Sequence, residues 1–212
     1  MSNPESFIDE VTEEVRRDRL FALMRRYGWI AILAVVVLVG GAAVNEWRKA
    51  SARAQAETFG DAILTAMSHD DAAARTTALQ GVAAEGDSAA IVALLEAGEA
   101  DGDTARAALE KVAADTTAPT LYRDLAVLKL TMMTDAGTAE DRIATLEPLT
   151  AAGAPFRVLA EEQIAIAEVE AGQAEAAISR LQQLLADDEA SQALRRRASQ
   201  LIVALGGTPE GA

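Results

Sequence analysis

The residues able to do chemistry are few in this chain, and their spacing argues against a catalytic centre. His69 is the sole histidine, and there is no cysteine. Thiolate nucleophiles, cysteine–metal sites and histidine-pair zinc sites are therefore excluded, and a His-based triad is not expected of a single histidine. His69 stands in Ser68-His69-Asp70-Asp71, where a helix is expected to end. A surface position at that terminus accounts for it. Asp101-Gly102-Asp103 hints at a calcium loop, yet the EF-hand spacing and its twelfth-position glutamate are missing. Asp103 is expected instead to cap a helix starting at Thr104, and Thr138-Ala139-Glu140-Asp141 to open another through a capping box. Adjacent acids such as Glu161-Glu162 and Asp187-Asp188 do not face each other on a helix, so a solvated face is expected for them. The sequence holds neither a P-loop nor a G-x-G-x-x-G phosphate loop. The expectation is a non-enzymatic protein with no cofactor, no metal and no small-molecule substrate.

The elements that would position any binding residues follow from composition. Alanine fills 48 of the 212 positions and aromatic residues only 4%. Alanine is the strongest helix former, and β-branched and aromatic residues are too sparse for a sheet protein, so the fold is expected to be all-α. The net charge of −14 is unevenly spread. Residues 1–49 hold seven acids and seven bases, whereas residues 50–212 hold 26 acids against 12 bases. A body that acidic repels phosphates, which argues against a nucleic-acid partner.

Residues 28–44, GWIAILAVVVLVGGAAV, run for 17 positions without a charge. At a rise of about 1.5 Å they cover about 25 Å of a hydrocarbon core roughly 30 Å thick. Tyr27 and Trp29 at one end and Trp47 at the other add interfacial aromatic rings, flanked by Arg25 and Arg26 before and Arg48 and Lys49 after. A transmembrane helix over 27–47 is expected. The rival is a signal peptide cleaved near Gly41-Ala42-Ala43, but the long acidic leader is unlike a short basic n-region. Arg16, Arg17, Arg19, Arg25 and Arg26 precede the span, against Arg48, Lys49 and Arg53 after it. The positive-inside bias then places the N-terminus in the cytoplasm and the remaining body outside it. Residues 1–26 are expected to form a juxtamembrane helix. Its stripe of Phe7, Ile8, Val11 and Val15 either solvates itself or docks on a partner or the membrane surface. Gly40-Gly41-Ala42-Ala43 forms a small-residue patch that either admits a neighbouring helix or merely ends the apolar run.

Beyond the span, Gly86, Gly102, Gly137, Gly153 and Gly172 mark turns, and three of them, Gly102, Gly137 and Gly172, recur at intervals of 35 residues. The helix after each of these three carries an apolar pair: Leu109/Val112, Leu146/Leu149 and Leu181/Leu184. The helix before each carries a large residue followed by alanine: Val92-Ala93, Leu125-Ala126 and Ile164-Ala165. Small residues let paired helices approach while leucines fill the seam. A long helix over 46–69 with Ala56, Phe59, Ile63 and Met67 on one face, a return over 71–82, and a closing helix over 190–205 with Arg195–Arg197 largely outward complete the expected body.

This pattern resembles the tetratricopeptide repeat, two antiparallel helices per unit. Ala93, Ala105 and Leu109 keep its spacing of twelve and sixteen, as do Ala165, Ala177 and Leu181. The middle unit departs from it: Arg142 takes the place of the small residue, and four additional residues enlarge the turn near 133–138. The whole chain resembles the bitopic inner-membrane family of the ancillary SecYEG translocon subunit, through Arg25-Arg26-Tyr27-Gly28-Trp29, the anchor running into Trp47, and the segment from Ile164-Ala165 through Ala176-Ala177 to Leu181. The resemblance implies a single-pass protein of the bacterial inner membrane. Its parts are a cytoplasmic segment 1–26, a span 27–47, a periplasmic helical-repeat domain 48–205 and a loose tail 206–212. Translocon subunits, periplasmic chaperones and exported polypeptides are the implied partners. A scaffold for envelope assembly or cell division, or an accessory subunit of another inner-membrane complex, would use the same elements. The repeat resemblance also implies that first helices line a groove, with Leu94, Ala97, Val127, Leu130, Ile166 and Val169 pointing into it. The alternative is that a neighbouring helix already covers these six as core.

Overall fold

The computed structural model describes the backbone of residues 4–133 and 136–209 and the side chains of 24–30, 32–133 and 136–209. Nine α-helices and no strand are present among the described residues. Helix α1 is Pro4–Met67, α2 Ala72–Gln80, α3 Asp87–Glu99, α4 Gly102–Ala114 and α5 Thr120–Thr131. Helix α6 is Ala139–Leu146, followed by a 3-10 turn at Glu147–Thr150; α7 is Arg157–Glu170, α8 Ala174–Ala186 and α9 Gln192–Ala204. The chain forms two compact units, Met1–Thr58 and Phe59–Ala212.

Helix α1 supplies the first unit as far as Thr58 and continues into the second. Its segment Met24–Met67 contains a window of mean hydropathy 2.3, long and apolar enough to cross a membrane. The described large apolar side chains of residues 29–47 are exposed, Leu38 at 74% and Trp47 at 70%. Exposed apolar surface on that scale marks a contact with lipid or another protein. Arg26 lies over the Tyr27 ring at 5.8 Å. The side chains of the Phe7, Ile8, Val11 and Val15 stripe lie outside the described residues.

The second unit begins where α1 turns from exposed to packed. Ala66, with Phe59 and Met67 beside it, joins Leu79 of α2 and Val92 of α3 in one apolar cluster. Onward from there each helix packs on its neighbour in sequence. The apolar pairs supply the seams: Leu109, Val112, Leu146, Leu149, Leu181 and Leu184 are all buried, as are Ala93, Ala126, Ala165, Ala105 and Ala177. Close helix approach is thus possible because one side of each seam is alanine. Gly102, Gly137 and Gly172 all carry positive φ, at 54°, 91° and 76°. In this region a Cβ would crowd the following carbonyl, so glycine is the residue that lets each helix stop and the next start. Thr138 and Asp141 form the expected capping box at α6. At α4 the expectation is corrected: the helix starts at Gly102, not Thr104, and Asp103 lies within its first turn. Seven residues separate α5 from α6, against three between α7 and α8. Residues 134 and 135 of that enlarged turn lie outside the described residues.

Candidate functional site

Helix α7 carries four carboxylates, and every one meets an arginine from a different helix. Glu161 and Glu168 share Arg180 of α8, with Glu168 accepting at 3.0 and 3.1 Å. Glu170 takes Arg142 of α6. Glu162, only 6% exposed, accepts from both Nε and Nη2 of Arg197 of α9 at 2.7 Å each. A buried carboxylate persists only where such a partner offsets its lost hydration. The expected solvated face is thereby corrected for Glu161, Glu162 and Asp187, while Asp188 is exposed as expected. Glu162 is core, Glu161 is paired, and Asp187 binds Arg157 at 2.6 and 2.9 Å. The outward reading of Arg195–Arg197 holds for Arg196 and Arg197, which are both exposed, while Arg195 is half-buried. Arg195 donates to the Asp187 carbonyl at 2.7 Å, and Arg197 reaches Glu162 with its side chain still 52% exposed. Arg142, the residue that breaks the repeat's small position, uses its length to reach α7.

These pairs shift the ionisation of their members. Hydrogen bonds from Arg157 hold the Asp187 carboxyl below its ordinary 3.8. The Arg157 guanidinium is pushed up by its bonds to Asp187 and Glu189. Hydrogen bonding to Glu162 likewise raises Arg197. Burial works against the charged Arg180, yet its bonds to Glu168 and Glu161 more than offset this and raise it.

The Glu162–Arg197 pair borders a cavity of about 360 Å³. Leu128 comes from α5 and Met132 from just beyond its end, Leu159, Gln163 and Ile166 from α7, Leu181 from α8, and Ala198 and Leu201 from α9. Seven of its ten lining residues are apolar, and Met132 and Leu159 are 60% and 37% exposed at its edge. Such a site can hold apolar side chains. It has no nucleophile–base pair, and His69 is exposed beyond the end of α1. No group of three His, Asp or Glu able to hold a metal occurs among the described residues.

The six expected groove residues have different surroundings: Ala97 is buried and the other five are half-buried. Leu94 and Leu130 pack with Ala97 against the cluster between α3, α4 and α5. Val127 packs against Leu128, Leu146, Leu149, Ala160 and Ile164. Of the six, Ile166 alone lines the cavity. Val169 is half-buried farther along α7. At the membrane-length segment, Arg25, Arg26, Tyr27, Trp29, Trp47, Arg48 and Lys49 are all exposed on α1. Sequence reasoning missed Met132, Leu159, Glu162, Gln163, Arg197 and Leu201. One available signal was that Glu162 and Arg197 stand 35 residues apart, the same interval as the turn glycines. Compared with protein-family models, curated proteins and solved structures, the chain finds no match.

Proposed function

We propose that this chain is a membrane-anchored, non-enzymatic protein-interaction module whose helical body is tetratricopeptide-like. The reading is carried by the apolar cavity, eight of whose ten lining residues lie on the alternate helices α5, α7 and α9, on a chain that also bears an exposed membrane-length helix. In a hairpin array, alternate helices are the first members of successive units, which is where such arrays present a binding face. Positive φ at glycines 35 residues apart and burial of the repeated apolar pairs support the same architecture.

The anchor lies in a bacterial inner membrane with the N-terminus in the cytoplasm and the body in the periplasm, supported by the five-to-three bias of basic residues. The partners are translocon subunits, periplasmic chaperones and exported polypeptides, supported by the family resemblance of the anchor flanks and the 164–181 segment. Crosslinking in native membranes followed by mass spectrometry tests this. Translocon subunits and periplasmic chaperones as main products are expected. Division or respiratory proteins in their place would transfer the module to an envelope scaffold or another membrane complex.

A further inference from the structure

We infer that the α5/α7/α9 cavity seats one large apolar side chain of an extended, net-basic polypeptide segment, and that Glu162 sets this preference by holding Arg197 as a neutral pair. The inference rests on the interaction-module reading and names the chemistry of its ligand. Size limits the occupant first. A volume of about 360 Å³ is near the lower end of the roughly 300–1,000 Å³ typical of binding cavities. That is too small for a folded element and sufficient for one or two side chains. Leu128, Ile166 and Leu201 line it, and the exposed Met132 at its edge adapts to ligands of different shape.

Charge narrows the occupant further. Glu162 and Arg197 are the charged residues lining the cavity, and their two 2.7 Å hydrogen bonds pair them with each other. The other α7 carboxylates are matched to Arg180 and Arg142. The cavity is therefore electrically neutral, yet it sits in a body where residues 50–212 carry 26 acids against 12 bases. The field of such a body draws in cationic chains and repels anionic ones. An unpaired Arg197 would oppose a basic segment at contact distance; Glu162 removes that opposition. Gln163 offers an amide donor and acceptor beside the cavity for the backbone of an extended segment.

The test uses the full chain in phosphatidylcholine nanodiscs, with empty nanodiscs as the blank. Fluorescent Gly-Ser peptides carry one central leucine and either lysines or glutamates at their ends. The lysine-flanked peptide is expected to bind about tenfold more tightly than the glutamate-flanked one. Serine in place of leucine should abolish binding. The difference should narrow as salt rises from about 0.1 M to about 1 M, which shortens the screening length from about 10 Å to about 3 Å. Glu162→Gln keeps the side-chain shape but unmasks Arg197, and should weaken the lysine-flanked peptide about tenfold. Adding Arg197→Gln should restore it. A photoreactive leucine in the peptide should crosslink to Met132 or Leu159 of the unaltered chain, so the assignment is decided even where a variant fails to fold. Equal affinity for the two peptides, no binding of either, or crosslinks elsewhere on the body would overturn it. Each of these leaves the interaction-module reading to its separate test, the identity of native-membrane crosslinks.

Discussion

At the scale of single residues, arginine does more in this body than surface solvation. Glu162 is buried and depends on Arg197, whose side chain is 52% exposed. Arg197→Leu should destabilise the domain by about 1–3 kcal/mol, less than for a wholly buried pair because water reaches the guanidinium. Glu162→Leu with Arg197→Leu should recover most of that loss, since no uncompensated charge is left behind. Urea unfolding of the two variants checks this, and equal loss in both would show that the pair itself is not the cause. Asp187 provides a pH test. Its carboxyl is held below 3.8 by Arg157, so the unfolded chain binds a proton more readily than the folded one. The stability it contributes is complete above about 3.8 and is lost as pH falls through the lower folded value. Asp187→Asn should therefore melt below the wild type at pH 6, with the gap closing in acid below 3.8. A gap independent of pH would contradict the assignment. Apart from the 35-residue spacing of Glu162 and Arg197, these pairs were not legible in sequence, because adjacent acids on a helix look solvated until the neighbouring helix is known to bring an arginine.

At the scale of helices, the seams were legible, and the surroundings of the first-helix apolar residues were not. Periodic leucines and alanines report burial directly, which is why Leu109, Leu146 and Leu181 all emerge in the core. Gly172 was legible for the same local reason, as a turn signal whose φ of 76° permits the α7–α8 turn. Whether an apolar first-helix residue is open or covered depends on the next hairpin, and no local pattern encodes that. Val127 and Ile166, equivalent in the repeat resemblance, consequently have different surroundings. Val127→Glu should place a carboxylate in the cluster around Leu128 and Leu146 and destabilise the domain by about 2–4 kcal/mol. Ile166→Glu, at the cavity, should cost about half as much or less while preserving the helical circular dichroism spectrum. Thermal melts of the two single variants separate them, and equal destabilisation would mean that the cavity is not open at Ile166.

At the scale of the whole molecule, the chain combines an exposed apolar helix with a helical body whose own apolar seams are filled. The membrane-length segment was the most legible feature of the sequence, since an uncharged run needs no tertiary information to be recognised. Direction rests on the basic flanks alone. Protease added to spheroplasts should digest the chain beyond Trp47 and spare the N-terminal segment, whereas protection of the body would reverse the orientation. The most direct test of the central claim places a photocrosslinking amino acid at Met132, at the edge of the cavity, and for comparison at the exposed Leu121 at the start of α5. Ultraviolet irradiation of intact cells, followed by mass spectrometry, should give translocon, chaperone or exported-polypeptide adducts from position 132 and few from 121. Equal yields from both positions, or adducts solely with unrelated membrane complexes, would contradict the account.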